Sequence, residues 1–311
     1  RYVASTYYAV RCPVDGRRAG SPVALSPSYT RRTGRGAASC EQSWCERANW
    51  FESNAVVGDE SLRPRGWSGR LWSPAIAAEH IACRENAALF DFTSFAKIEI
   101  RGRGAAKYLE TLSDNHVARG VGMLTYTQML NQDGGIECDF TVTRLAEDRF
   151  RLVTGTAFGQ HDLAWIRDHA PEDGSVQVED VTSASACIGL WGPAARQILQ
   201  PLTTADVSNA AFPYMTAQQL AVGSVPCLAL RVTYVGELGW ELYCPSEFGQ
   251  RLWDTLWEAG QSHGPAAGAY KAVDSPRLAR GYRAWGSALR PAAHPNPAAP
   301  GKTSPRRTGA P

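Results

Sequence analysis

Two stretches of this sequence, 90 residues apart, follow the same pattern. Gly102 answers to Gly192, Ala105 to Ala195, Leu109 to Leu199, Leu112 to Leu202 and Ile166 to Leu256. Each stretch opens on an alternating, β-prone run, at 97–100 and again at 187–190. A glycine then turns the chain, and a helix with one apolar face follows, at 105–112 and at 194–202. Three strands come next, about 123–130, 136–145 and 149–154 in the first copy and 216–221, 226–234 and 239–244 in the second. A helix closes each copy, at 158–169 and 248–259. Duplicated β-α-β-β-β-α units with short connections predict an α+β fold in which each helix lays its apolar face on a sheet. The repeats, about 97–170 and 187–260, are expected to share one domain of residues 76–289. A pocket between two such halves is a natural place for a small ligand.

The first copy also holds the most unusual residue. A β-prone run beginning near Tyr126 enters a turn at Asn131-Gln132-Asp133-Gly134-Gly135, and a second run leaves it. Asp-Gly-Gly between two such runs is a strong hairpin signal. Asp139 stands inside the second run, among Ile136, Cys138, Phe140 and Val142. Strands disfavour Asp, and a desolvated carboxylate is costly without partners. A local rule broken at the centre of a well-formed element marks a candidate site. The alternative is an edge-strand Asp facing water.

The remaining composition excludes more than it assigns. No run approaches the roughly 18 apolar residues of a membrane helix, so no membrane partner is expected. The chain begins at Arg1 with no signal peptide, and reads as a fragment or processed piece. Residues 1–49 carry eight Arg against three acids, and residues 290–311 carry Arg290, Lys302, Arg306 and Arg307 with no acid. With a formal charge of +2 overall, the middle of the chain is acidic, which argues against a nucleic-acid partner. None of the eight cysteines forms a C-x-x-C pair, and Cys138, Cys187 and Cys227 read as reduced core thiols. That usage suits a reducing compartment, the cytoplasm of a bacterium or the mitochondrial matrix of a eukaryote. Cys40 with Cys45, and His80 with Cys83, lack the further ligands zinc requires, so no metal site is expected. His116, His161, His169 and His263 read as surface residues.

Residues 1–75 read as a loop-rich linker whose Trp44, Trp50, Phe51, Trp67 and Trp72 need a surface to bury against. Pro74 starts a helix with Ile76, Ala77, His80 and Ile81 near one face. A Gly- and Ala-rich helix is expected within 268–286, ending at Gly281. Residues 290–311 hold six prolines and no apolar side chain larger than Ala, and are expected to be disordered.

Among motifs, Gly102-Arg103-Gly104 imitates a dinucleotide fingerprint, but the third glycine position is Lys107 and the repeat partner has no second glycine. A tight strand-to-helix turn explains both copies. Tyr234-Val235-Gly236-Glu237-Leu238-Gly239-Trp240-Glu241 reads as a second hairpin, with Glu237 solvated in its turn. Glu241 alternates with Trp240 and Leu242, either towards a cleft, where it would accept paired N–H donors from a heterocycle edge, or on a wet strand face.

Together these segments resemble the glycine-cleavage T-protein family of aminomethyltransferases, and more closely the folate-binding half of dimethylglycine and sarcosine dehydrogenases. The resemblance is carried by residues 88–97, the 131–139 hairpin, Gly192-Pro193-Ala194, the 234–241 segment and Arg280-Gly281-Tyr282-Arg283-Ala284-Trp285-Gly286. Residues 47–51 and 72–76 resemble the linker by which the dehydrogenases join a flavin half to a folate half. The resemblance implies a tetrahydrofolate site with Asp139 as the essential carboxylate. Tyr126 and Thr141 would line the pterin pocket, Gly155 would supply adjoining backbone, and Tyr234 and Glu241 would hold the pterin edge. It further implies one-carbon transfer from an N-methyl amine or aminomethyl donor, giving 5,10-methylene-tetrahydrofolate. FAD would belong to a missing N-terminal half or to a flavoprotein partner acting in trans.

The chain departs from the family at Val273, where T-proteins carry Arg, at Pro276, which would cost a helix interior about 3 kcal/mol, and at its tail, which stands where a barrel domain is expected. The competing reading is therefore an inactive fragment of an FAD-dependent dehydrogenase, serving only as a folate-binding or interaction module. A third is a folate-binding regulatory relative without transferase activity.

Overall fold

The computed structural model describes residues 24–42, 45–57, 59–66, 69, 72–286, 289 and 291. Cys12, Trp44, Trp67, residues 1–23 of the expected linker, and all of the expected disordered tail but Pro291 lie outside the described residues. Helix α1 (Tyr29–Thr33) and strands β1 (Ala37–Gln42) and β2 (Cys45–Phe51) come first, followed by α2 (Pro74–Glu85) and β3 (Ala88–Asp91). The first repeat is β4 (Ala96–Arg101), α3 (Ala105–Leu112), β5 (Leu124–Leu130), β6 (Ile136–Ala146), β7 (Arg149–Thr154) and α4 (Gly159–Asp168), with β8 (Gln177–Asp180) after it. The second is β9 (Ser185–Trp191), α5 (Ala195–Leu199), β10 (Ala217–Val222), β11 (Val225–Leu230), β12 (Gly239–Pro245) and α6 (Gly249–Gly260). Strand β13 (Ala266–Gly268) and helix α7 (Tyr270–Ala279) close the described chain.

The duplication is visible in the pairing. One sheet runs β5-β6-β7-β4-β8, the other β10-β11-β12-β9-β3-β13, so the four repeat strands follow one order in both. The fold is α+β, as the pattern predicts. Strands β3, β8 and β13 are additions that the repeat does not announce. They are short, three or four residues each, too brief to show periodicity.

The chain divides into two compact units. The unit of the first repeat spans Phe95–Thr182 with Met215–Gln218 and the described residues from Gly281 onward. One face of its sheet is apolar: Ile98, Ile100, Met129, Cys138, Phe140, Val142, Phe150 and Leu152 pack with Tyr108 and Leu109 of α3 and Leu163 and Ile166 of α4. Strand alternation puts the odd-numbered residues of β6 on the opposite face.

The other unit holds the second repeat and the described N-terminal residues. Its core gathers Ile188, Leu190, Ala229, Trp240, Leu242, Leu252, Trp253 and Leu256. The N-terminal stretch is loop-rich, as expected, but contains the β1–β2 hairpin and α1. Burial of Phe51 and an ion pair between buried Arg32 and Asp91, 3.1 Å, tie it to this unit.

Several expected boundaries and faces need correction. Helix α5 stops at Leu199 and passes into a 3-10 turn over Gln200–Leu202, because Pro201 lacks the N–H that would continue it. Strand β11 stops at Leu230, where Arg231 turns aside to bind the Phe212 carbonyl and the Asn209 side chain. Helix α2 begins at Pro74, but its buried residues are Ala75, Glu79 and Cys83 rather than the Ile76–His80 side. The closing helix begins only at Tyr270, since residues 266–268 pair in parallel with β3. Pro276 lies inside α7 without ending it.

Candidate functional site

Strand β6 lies between β5 and β7, so Asp139 is not on an edge strand, though its ladder partner is on β5 alone because pairing with β7 begins at Thr141. The register sets Gln128 opposite Asp139 and Tyr126 opposite Thr141, and across β7 it sets Val153 opposite Thr141 and Lys97 opposite Val153. These residues therefore share the face turned away from the apolar core. The Tyr126 hydroxyl donates to Asp139 Oδ2 at 2.9 Å, and both side chains are half-buried. Gln128 is buried, and its Nε2 finds no acceptor among the described residues. The same holds for the Thr143 hydroxyl, further along that face. A buried donor left unpaired costs about 1–3 kcal/mol, so such atoms beside a half-buried carboxylate are what a polar ligand would satisfy. Gly155 follows β7 and is half-buried. A Cβ there would meet only Phe158, at an ordinary 3.6 Å, so packing within the protein does not demand glycine.

The same face carries charge. Glu99 is buried and accepts from Arg149, at 2.9 and 2.7 Å, and from Arg151. Burial would raise its carboxyl, but the hydrogen bonds from Arg151 and Arg149 hold it below its ordinary value. Lys97 is fully buried, with Nζ donating to the Thr182 carbonyl at 3.2 Å. Sequence reading missed Gln128, Lys97 and Glu99 as companions of Asp139, because only strand register reveals that they share its face.

In the second-repeat unit, Glu241 sits on β12 opposite Leu230 and Gly189. It is buried, not on a wet face, and accepts from the Tyr243 hydroxyl at 2.7 Å. Burial drives the Tyr243 hydroxyl well above its ordinary pKa, so it stays a donor. Tyr243 is two residues on, on the same strand face, and the alternation could have found it. Tyr234 is half-buried in the loop between β11 and β12. Glu237 is not solvated. It is mostly buried and paired with Arg84 and, at 3.1 Å, with Arg280, which makes it structural.

The duplicated α+β fold thus sets a carboxylate, a tyrosine, and an amide and a hydroxyl without partners among the described residues on one sheet face. The GCVT N-terminal domain family matches residues 28–301, and the chain belongs to that family. It is 34% identical over 284 residues to a 4-methylaminobutanoate oxidase (formaldehyde-forming) of Paenarthrobacter nicotinovorans, covering 91% of this chain and 34% of the relative. It is 31% identical to human mitochondrial dimethylglycine dehydrogenase, covering 88% of this chain and 31% of that protein. An aminomethyltransferase of Geobacillus thermodenitrificans is 36% identical over 70% of this chain and 60% of its own length. The chain thus spans about a third of the length of the first two. In fold it is similar to the glycine cleavage system aminomethyltransferase T of Bartonella henselae, with a TM-score of 0.71 at 23% identity over 88% of this chain and 67% of that one.

Proposed function

We propose that this chain is a tetrahydrofolate-dependent one-carbon transfer module serving the catabolism of glycine, sarcosine or dimethylglycine. The observation that carries the reading is the Asp139–Tyr126 pair beside the unpaired Gln128 amide on one face of the first-repeat sheet. Tetrahydrofolate, when bound, supplies the secondary-amine nitrogens that accept a formaldehyde-level carbon. Asp139 takes the proton such a nitrogen gives up, and the Tyr126 hydroxyl on Oδ2 keeps the carboxylate oriented. Gln128 and Thr141 contribute hydrogen bonds, and Gly155 lets the ring approach the backbone. Tyr234 and Glu241 are proposed as contacts to the pterin edge on the strength of their motif. An FAD-bearing domain or partner that oxidises the N-methyl donor, whose methyl group becomes the transferred carbon, is proposed from the resemblance to the dehydrogenase family.

A second reading, a module that binds folate without turning it over, is favoured by the departures from the T-protein pattern at Val273 and Pro276. Calorimetric titration with tetrahydrofolate tests the shared claim. Saturable binding is expected, and Gly155→Ala should weaken it at least tenfold with the fold unchanged. No binding by the intact chain would sink both readings. Binding that survives Asp139→Asn, with loss of methylene-tetrahydrofolate formation in that variant alone, would favour catalysis over simple binding.

A further inference from the structure

In the first-repeat unit, on the helix-covered side of β6, Cys138, His161 and Asp162 bring a sulfur, a ring nitrogen and a carboxylate oxygen within 4.8 Å of one another. Cys138 comes from the hairpin strand, and the other two from the first turn of α4. Cys138 and Asp162 are buried, while His161 is half-exposed. His161 Nδ1 lies 3.0 Å from Asp162 Oδ1, and Nε2 lies 3.1 Å from Glu137 Oε1. The Thr154 hydroxyl donates to Asp162 Oδ2 at 2.7 Å, leaving Oδ1 directed at the histidine.

From this arrangement we infer that Cys138 Sγ, His161 Nδ1 and Asp162 Oδ1 form a site for a thiophilic divalent cation of the zinc kind. Tetrahedral zinc with sulfur at about 2.3 Å and nitrogen or oxygen at about 2.0–2.2 Å needs ligand atoms roughly 3.5 Å apart. The observed spacing brackets that value, with His161 Nδ1 3.0 Å from Asp162 Oδ1 and all three ligand atoms within 4.8 Å of one another. A mixed sulfur, nitrogen and oxygen set suits zinc and disfavours magnesium or calcium, which want oxygen alone. The outer groups also fit. A metal-ligating histidine commonly donates its second ring N–H to a carboxylate, and Glu137 stands at that nitrogen. Thr154 fixes the ligating carboxylate in the same way. The three residues leave a fourth position for water.

Both ring nitrogens of His161 face carboxylate oxygens, Asp162 Oδ1 at Nδ1 and Glu137 Oε1 at Nε2. Loading a dication requires Nδ1 and the Cys138 thiol to give up any proton they hold to solvent, which makes metal binding pH-dependent.

Cobalt titration of the chelator-treated, reduced full chain tests the site. One equivalent should bind with a thiolate-to-cobalt charge-transfer band, and Zn²⁺ should displace it. Cys138→Ser should abolish the band, Cys40→Ser should leave it, and Glu137→Gln should weaken binding about tenfold. Absence of the band, or its persistence in Cys138→Ser, overturns the site. If Cys138→Ser does not fold, His161→Gln decides, because that side chain is 44% exposed. A band undiminished in that variant overturns the site equally.

Discussion

Glu79 shows how burial acts on one carboxylate. Its oxygens accept from the Phe51 N–H at 2.7 Å, Asn54 Nδ2 at 3.1 Å and the Ala269 N–H at 3.0 Å. Burial pushes its pKa from 4.5 up to about 7, against the pull of those three donors. The unfolded chain therefore releases this proton near pH 4.5, and the folded chain only near 7. Between those values the folded state binds more protons, so stability falls as pH rises, by about 3 kcal/mol in all, and is flat above. Urea unfolding across pH 4 to 8 should show that slope. Glu79→Gln should remove it and cost about 1–3 kcal/mol at the acid end, since an amide NH₂ cannot accept as the second oxygen does. The helical period of α2 was readable in the sequence. That the face bearing a glutamate would be the buried one was not, because its donors come from residues 51, 54 and 269.

The two glycine turns show an element repeated down to its hydrogen bonds. Gly102 N–H binds the Asp148 carbonyl at 2.9 Å, and Gly192 N–H binds the Leu238 carbonyl at 2.8 Å, again 90 residues apart. Both glycines have positive φ, +121° and +142°. A Cβ would stand 2.3 Å from the Ser175 carbonyl oxygen in one and 2.4 Å from that of Asn86 in the other. Gly102→Ala and Gly192→Ala should each destabilise by about 3 kcal/mol, read as a lowered denaturant midpoint with m unchanged. The repeat offset alone pointed to these turns, and the imitation of a dinucleotide fingerprint has this steric cause. Pro276 taught the opposite lesson. Its place in α7 argued against an intact helix, yet the helix continues, with Arg84 taking the Pro276 carbonyl at 3.0 Å.

For the molecule as a whole, a ligand that binds only the folded state adds stability by mass action. Tetrahydrofolate at a hundredfold excess over its Kd should add about 2.7 kcal/mol, seen as a rise in the thermal midpoint. Tyr126→Phe should reduce that rise while changing the ligand-free unfolding free energy by no more than about 1 kcal/mol, since the side chain it alters is only half-buried.

The repeat, the fold class, the hairpin and Asp139 were all written in the sequence, since periodicity, turn residues and a misplaced carboxylate are local signals. Cross-strand register and three-dimensional closeness are not local. They alone set Gln128 beside Asp139, turned Glu237 from a solvated turn residue into a partner of two arginines, and drew Cys138, His161 and Asp162 into one cluster across 24 residues of chain.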